Sequence, residues 1–103
     1  MPAFLIADID VKDDEVFAKY RTANPDIVNK FGGQYVALGG GEVEVLEGDW
    51  YPRRTLIIAF PDMDALRGFY RSPEYEELRK VRWASADSRL VAIEGLPEPR
   101  DRP

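Results

Sequence analysis

The sequence predicts an α+β fold. Its plan is ferredoxin-like: a four-stranded antiparallel sheet with its helices on one face, which then packs against a second copy of itself. Three observations carry this reading. Strand and helix signals alternate in the order β-α-β-β-α-α-β, the split βαβ arrangement with its second helix divided in two. Each helix start carries a capping residue. And three of the four strands are apolar on both faces, which one layer of helices cannot cover.

The first strand is Ala3-Phe4-Leu5-Ile6-Ala7-Asp8-Ile9. Asp13 follows as an N-cap, with Asp14 and Glu15 placed favourably against the positive end of the helix dipole. Val16, Phe17, Tyr20, Ile27, Val28 and Phe31 recur at helical spacing, and Glu15/Lys19 and Asp26/Lys30 are i,i+4 ion pairs in the favoured order. Pro25 is expected to kink or split this helix near Asn24, because it lacks the N–H that an interior turn needs. Gly32-Gly33 supplies the C-cap.

Gln34-Tyr35-Val36-Ala37-Leu38 reads as the second strand, interrupted by a bulge or bend at Gly39-Gly40-Gly41. Glu42-Val43-Glu44-Val45-Leu46-Glu47 resumes strict alternation, the pattern of a strand with one face in water. A hairpin-like loop from Gly48 to Pro52 leads to the third strand, Arg53 to Phe60. Pro61-Asp62 opens a helix with Met63, Leu66, Phe69 and Tyr70 on one face. Ser72-Pro73-Glu74 then restarts a helix with Ser as N-cap and Pro in its first turn, and Tyr75, Leu78 and Val81 line its apolar side. Ser88 to Glu94 is the last strand. Residues 1–96 therefore form a single domain, and the proline-rich, charged stretch 97–103 is expected to be a disordered tail.

In Phe4-Leu5-Ile6-Ala7, Leu56-Ile57-Ile58-Ala59-Phe60 and Leu90-Val91-Ala92-Ile93, residues of both parities are apolar. Left bare, the second face would be a larger apolar patch than soluble monomers carry. The simplest cover is a second copy, giving a homodimer with sheets face to face around a partly barrel-like interior.

Composition narrows the chemistry by exclusion. The 103 residues carry a net charge of −5 and no basic stripe, which argues against nucleic acid or an anionic membrane as partner. No apolar run approaches a membrane span, and Asp8 and Asp10 interrupt any signal-like segment; a cytoplasmic location is the expectation. There is no cysteine and no histidine. Thiol chemistry, a Ser-His-Asp triad, histidine-ligated zinc and a proximal histidine on haem are excluded. Any acid or base must be Asp, Glu, Tyr, Lys or a terminal group. No cofactor is expected, and no metal site.

Gly32-Gly33-Gln34-Tyr35, Glu47-Gly48-Asp49-Trp50 with Pro52 and Arg54, Phe60-Pro61, Tyr70-Arg71-Ser72-Pro73-Glu74-Tyr75 and Arg82 follow one another in five segments. In these the chain resembles the domain of unknown function family 1330 over about residues 2 to 96. The resemblance implies the dimeric α/β barrel superfamily, in agreement with the argument from the sheet face, and no established activity. More distant members of that superfamily include small monooxygenases, muconolactone isomerases, haem-handling enzymes and simple ligand binders; the absence of histidine argues against the haem branch, and kinship of fold does not carry function across.

Candidate ligand-binding residues are Tyr35, Trp50, Arg54, Tyr70 and Arg82. Arg53 and Arg54 adjoin on a strand and so point to opposite faces. Arg54 shares parity with Leu56, Ile58 and Phe60, and can clamp a carboxylate or phosphate; the structural alternative is an ion pair with Glu42, Glu44 or Glu47. Tyr35, Trp50, Tyr51, Tyr70 and Tyr75 can wall an aromatic pocket with polar tips or serve as core and interface packing. Arg67, Arg71 and Arg79 read as solvated or paired with Asp64, Glu74 and Glu77, whereas Arg82 follows an apolar helix face. Asp8/Asp10 and Asp62/Asp64 read as edge and capping residues rather than a cation site, and the triple glycine precedes a strand, not the helix N-terminus a phosphate cradle needs. Pro2 admits a tautomerase-like base only as a free N-terminal amine. The sequence thus points to a small acidic or aromatic metabolite held between sheet and helices. The alternatives are a cofactor-independent isomerase or monooxygenase-like enzyme, and an interaction module without a ligand.

Overall fold

The computed structural model describes residues 1–103. Seven elements follow in order: β1 (Ala3–Val11), α1 (Asp14–Lys30), β2 (Gln34–Ala37), β3 (Thr55–Phe60), α2 (Met63–Arg71), α3 (Pro73–Ser85) and β4 (Ala86–Glu94). The strands form one antiparallel sheet in the order β2-β3-β1-β4. β1 is central: Leu5 stands opposite Ile58 on one side and Ala92 on the other. This is the expected α+β ferredoxin-like plan, with all three helices on one face.

The predicted caps set the helix limits. Asp13 accepts from the Val16 N–H at 3.1 Å, Asp62 from Ala65 at 2.8 Å and Ser72 from Tyr75 at 3.2 Å. α1 ends in a Schellman turn, in which Gly32 N–H donates to the Asn29 carbonyl at 3.0 Å and Gly33 N–H to that of Val28 at 2.9 Å. Gly32 has φ +78°, the left-handed conformation this motif needs at its turning residue.

Two expectations fail. Pro25 does not split α1, which runs unbroken from Asp14 to Lys30. Its missing N–H falls on an exposed turn, between Arg21 and Pro25, where water can serve the freed carbonyl. Buried Tyr20 and Val28 meanwhile hold the helix to the core on either side of it. And Glu42–Glu47 is not a strand: residues 38–54 form no regular element. β2 is the sheet's edge and stops at Ala37, so the alternating segment has no strand to pair with, and alternation without a ladder partner leaves the backbone in water. The third strand accordingly begins at Thr55 rather than Arg53, and the last begins at Ala86.

The core lies between sheet and helices. Ala3, Leu5, Ala7 and Ile9 of β1 are buried while Phe4, Ile6, Asp8 and Asp10 between them are only partly so. Aromatic rings continue the core across the helix layer, with Phe60–Phe69 centroids 5.3 Å apart, Phe69–Tyr75 4.5 Å and Phe17–Tyr20 5.2 Å. The other face of the sheet is bare. Val36, Val91 and Ile93 are more than half exposed there, and Cα extents of 43 × 34 × 17 Å are those of two layers rather than three. No helix is long and apolar enough to cross a membrane.

Candidate functional site

Five residues of α1 share one helical stripe at spacing i, i+3, i+4, i+7, i+8: Phe17, Tyr20, Arg21, Asn24 and Pro25. The stripe spans the edge of the sheet where β2 is short. Between it and Tyr35, Leu38, Gly39, Arg54 and Leu56 lies a cavity of about 350 Å³, at the lower end of the range for small-molecule sites.

Arg54 reaches this cavity because its backbone is fixed from the opposite face of the sheet. The Asp8 carboxylate accepts from the N–H groups of Arg53 at 2.9 Å and Arg54 at 3.2 Å, and the Arg54 carbonyl accepts from Ile9 N–H at 2.9 Å. Parity then sends the Arg54 side chain to the helix side, where it lies against Gly39. A Cβ at residue 39 would sit 1.8 Å from Arg54 Cγ, so only glycine fits while the arginine keeps this place. The expected alternative, pairing with Glu42, Glu44 or Glu47, does not occur: neither Arg53 nor Arg54 meets a carboxylate in a salt bridge. Arg21 is likewise unpaired, its guanidinium 5.2 Å from the Phe17 ring centroid. No carboxylate lines the cavity.

The polar floor is made of neutral groups. Asn24 Nδ2 donates to Tyr35 Oη at 3.2 Å. The Tyr20 and Tyr75 hydroxyls share a hydrogen bond of 2.7 Å. Burial, then the neighbouring Tyr75, pushes the Tyr20 phenol well above its ordinary value; burial also raises Tyr35, opposed in part by the hydrogen bond from Asn24. Both phenols stay protonated at neutral pH. Behind Tyr20 lies Arg82, 2% exposed. Its guanidinium carbon is 5.9 Å from the Tyr20 ring centroid and its Nη1 donates to Ser88 Oγ. It has no carboxylate partner, and its Nε makes no hydrogen bond. Arg82 thus lies one side chain behind the cavity and is not part of its wall.

The five candidates are therefore not one cluster. Tyr35 and Arg54 meet in the cavity, and Arg82 lies behind it. Trp50 is on the bare face of the sheet, 56% exposed, with its indole Nε1 3.4 Å from Asp8 Oδ2. It borders a groove of about 260 Å³ together with Asp10, Arg53 and Arg89. Tyr70 lines a separate depression of about 370 Å³ under α2 with Met63, Leu66 and Leu90. Its carbonyl accepts from Arg79 Nη1 at 3.3 Å, and the Arg79 guanidinium lies 4.7 Å from its ring centroid. Arg67 pairs with Asp64 at 3.4 Å, while Glu74 and Glu77 pair with Lys30 and Lys80 rather than with arginines. The sequence reading missed Tyr20, Arg21 and Asn24 as site residues. Their signal in the sequence is polar tips on a stripe of α1 that also carries Phe17, a pattern that plain core packing explains equally well.

The family described as Domain of unknown function (DUF1330) matches residues 2–96. No curated protein matches the chain in sequence. Among solved structures, a protein of unknown function from Rhodopseudomonas palustris is similar at TM-score 0.75 and 23% identity, over 94% of this chain and 84% of that one. A dimeric ferredoxin-like protein of unknown function from Jannaschia sp. CCS1 is similar at TM-score 0.72 and 12% identity, over 92% of this chain and 100% of that one. SnoaB, a cofactor-independent oxygenase from Streptomyces nogalater, is similar at TM-score 0.61 and 16% identity, over 94% and 98%. At these identities the likeness is one of fold.

Proposed function

The chain belongs to the DUF1330 family, and from that premise we propose that it is a homodimer whose protomers each bind a small, acidic, partly aromatic metabolite in the cavity between α1 and the β2–β3 edge. One observation carries the ligand reading: two arginines, Arg21 and Arg54, line the cavity, and no carboxylate does. Arg21 is exposed and Arg54 half-buried, so neither is neutralised by the chain, and side by side at one cavity they can act as recognition groups for a carboxylate. Buried, unpaired Arg82 adds positive potential from behind. Phe17, Tyr20 and Leu56 supply walls for a flat ring.

The bare sheet face supports the dimer. Its exposed Val36, Val91 and Ile93 are flanked by Arg53 and Arg89 beside Asp10 and Asp87. A face with both signs can place opposite charges against each other about a two-fold axis. The dimeric protein from Jannaschia sp. CCS1, similar in fold, is consistent with this.

Thermal denaturation with a panel of aromatic and aliphatic carboxylates tests the ligand reading. A binder present at ten times its Kd stabilises by about 1.4 kcal/mol, a shift of several degrees for a domain of this size. Arg54→Ala is expected to abolish the shift. A panel that shifts nothing, or shifts that survive in Arg54→Ala, would refute the site.

A further inference from the structure

Glu42-Val43-Glu44-Val45-Leu46-Glu47 alternates like a strand, yet none of its backbone groups bonds another backbone group of the chain. Val43 is 45% exposed and Leu46 84%. β4 has the complementary lack. It pairs only with β1, so its outer edge is free from Ala86 to Glu94, and no bulge interrupts its register. Lys12 N–H donates to the Ser85 carbonyl at one end of that ladder, and Gly95 N–H to the Pro2 carbonyl at the other. Residues of the opposite parity, Leu90 and Ala92 among them, therefore turn their N–H and C=O groups outward. A long free edge of this kind is a template for another strand. Apart from Met1, Trp83 and Leu96, every exposed large apolar side chain lies between Val36 and Tyr51 or on β4.

We propose that residues 43–47 add to the outer edge of β4 in a second copy of this chain, as an antiparallel fifth strand. The segment leaves β2, the opposite edge of its own sheet, so the β4 it meets is another copy's. Side chains select the register. With Val45 opposite Val91, Val43 falls opposite Ile93 and Glu47 opposite Arg89, all on the bare face. On the helix side Leu46 meets Leu90, and Glu44 stands opposite Ala92, beside the depression that Arg67 and Arg71 border. Arg71 meets no carboxylate within its own chain, and Arg67 only the exposed Asp64. The parallel alternative sets Val43 against Arg89 and Glu47 against Ile93. Glu42 would face Glu94, so the pairing stops at Val43. A two-fold axis makes the exchange mutual. The inference rests on the homodimer reading and adds what closes the dimer at its edges.

The chain has no cysteine, so disulfides between single-cysteine variants report contacts between copies only. Val45→Cys is mixed with isotope-labelled Val91→Cys under a glutathione couple, and the products are read by intact mass. The mixed disulfide is expected to form about tenfold faster than either like pair, since facing residues outside the hydrogen-bonded pairs lie about 4.5 Å apart at Cα. Val45→Cys with Ile93→Cys, two residues out of register, is expected to be about tenfold slower, because diagonal neighbours stand too far apart. Leu46→Pro removes the N–H that bonds Leu90. It is expected to weaken the dimer about tenfold in sedimentation equilibrium. The far-UV spectrum is expected to stay unchanged, because residues 42–47 belong to no regular element of the protomer. A dimer that forms no preferred mixed disulfide overturns the strand exchange and leaves the face-to-face dimer standing, as does a dimer indifferent to Leu46→Pro. A chain that stays monomeric overturns both readings.

Discussion

The two faces of the sheet are built from alternate residues of the same strands, yet they are different surfaces. On the covered face, Leu5, Ile9, Ile58 and Phe60 are buried under three helices, and the polar groups among them (Tyr20, Asn24, Tyr75, Arg82) are held in hydrogen bonds, with Asn24 Oδ1 and Arg82 Nε buried without a partner. On the bare face, Phe4, Ile6 and Ala59 are partly exposed, Val91 and Ile93 more than half so, and charged groups lie at one end. The contrast teaches that strand apolarity alone does not locate a core. What closes a face is the layer above it, and only one of these faces has its layer within the chain.

The largest expected effects separate the faces directly. Phe69, wholly buried among Phe31, Phe60 and Tyr75, is the keystone of the covered side. Phe69→Ala is expected to cost about 3–5 kcal/mol in urea denaturation, the usual loss for a large core ring. Val91 is 60% exposed on the bare side. Val91→Glu is expected to leave the far-UV spectrum of the chain unchanged but, if the proposed dimer uses this face, to weaken dimerisation on the order of a hundredfold, because a symmetric interface there would bury the new carboxylate in both copies. Sedimentation equilibrium reads that change. An unaltered dimer in Val91→Glu would show that the bare face is not the interface.

A middle-sized effect belongs to the covered face alone. Tyr20→Phe leaves the buried Tyr75 hydroxyl without its partner and is expected to cost about 1–3 kcal/mol. Adding Tyr75→Phe is expected to recover part of that loss, a non-additivity that a double-mutant cycle measures. The same pair sets an alkaline limit. With its pKa raised from an ordinary 10.0, the Tyr20 phenol is neutral in folded and unfolded chains alike below about pH 10, so its contribution there is complete. Above that pH the unfolded chain ionises first and stability falls as pH rises. Tyr20→Phe is expected to flatten the fall, as seen in urea midpoints measured from pH 8 to pH 11.

How much of this the sequence disclosed follows from which interactions are local. Caps at Asp13, Asp62 and Ser72 and the Gly32 turn involve neighbours three to five residues away, and all were legible. So was the excess of apolar faces over helices. Glu42–Glu47 misled because strand formation needs a partner strand as well as alternation. Pro25 misled because packing at Tyr20 and Val28 outweighs a local preference. Arg54 shares strand parity with Leu56, Ile58 and Phe60, a local relation, and that parity puts it on the helix side of the sheet. Trp50 and Tyr70 were close to Arg54 in sequence, but residues 38–54 lay Trp50 over the bare face and α2 carries Tyr70 to another depression. The α1 half of the cavity was invisible as a site because it depends on which helix stripe crosses the short edge strand, a tertiary fact.

Asp8 joins the two faces, and the smallest predicted effect tests that junction. Its carboxylate lies on the bare side, where it accepts from Arg53 N–H, Arg54 N–H and Trp50 Nε1, yet the backbone it fixes aims Arg54 into the covered cavity. Asp8→Ala frees two backbone donors at the surface, where water replaces much of the lost bonding, so the cost in stability is expected to be about 1 kcal/mol. The effect on binding is separate: a less firmly held Arg54 must be ordered when a carboxylate arrives, and affinity for the best acid is expected to fall about threefold although Asp8 does not line the cavity. Asp8→Asn keeps an acceptor oxygen and is expected to restore most of that affinity. If Asp8→Ala instead weakens only dimerisation, the two faces act independently, and Arg54 owes its place to Gly39 and the β1–β3 pairing alone.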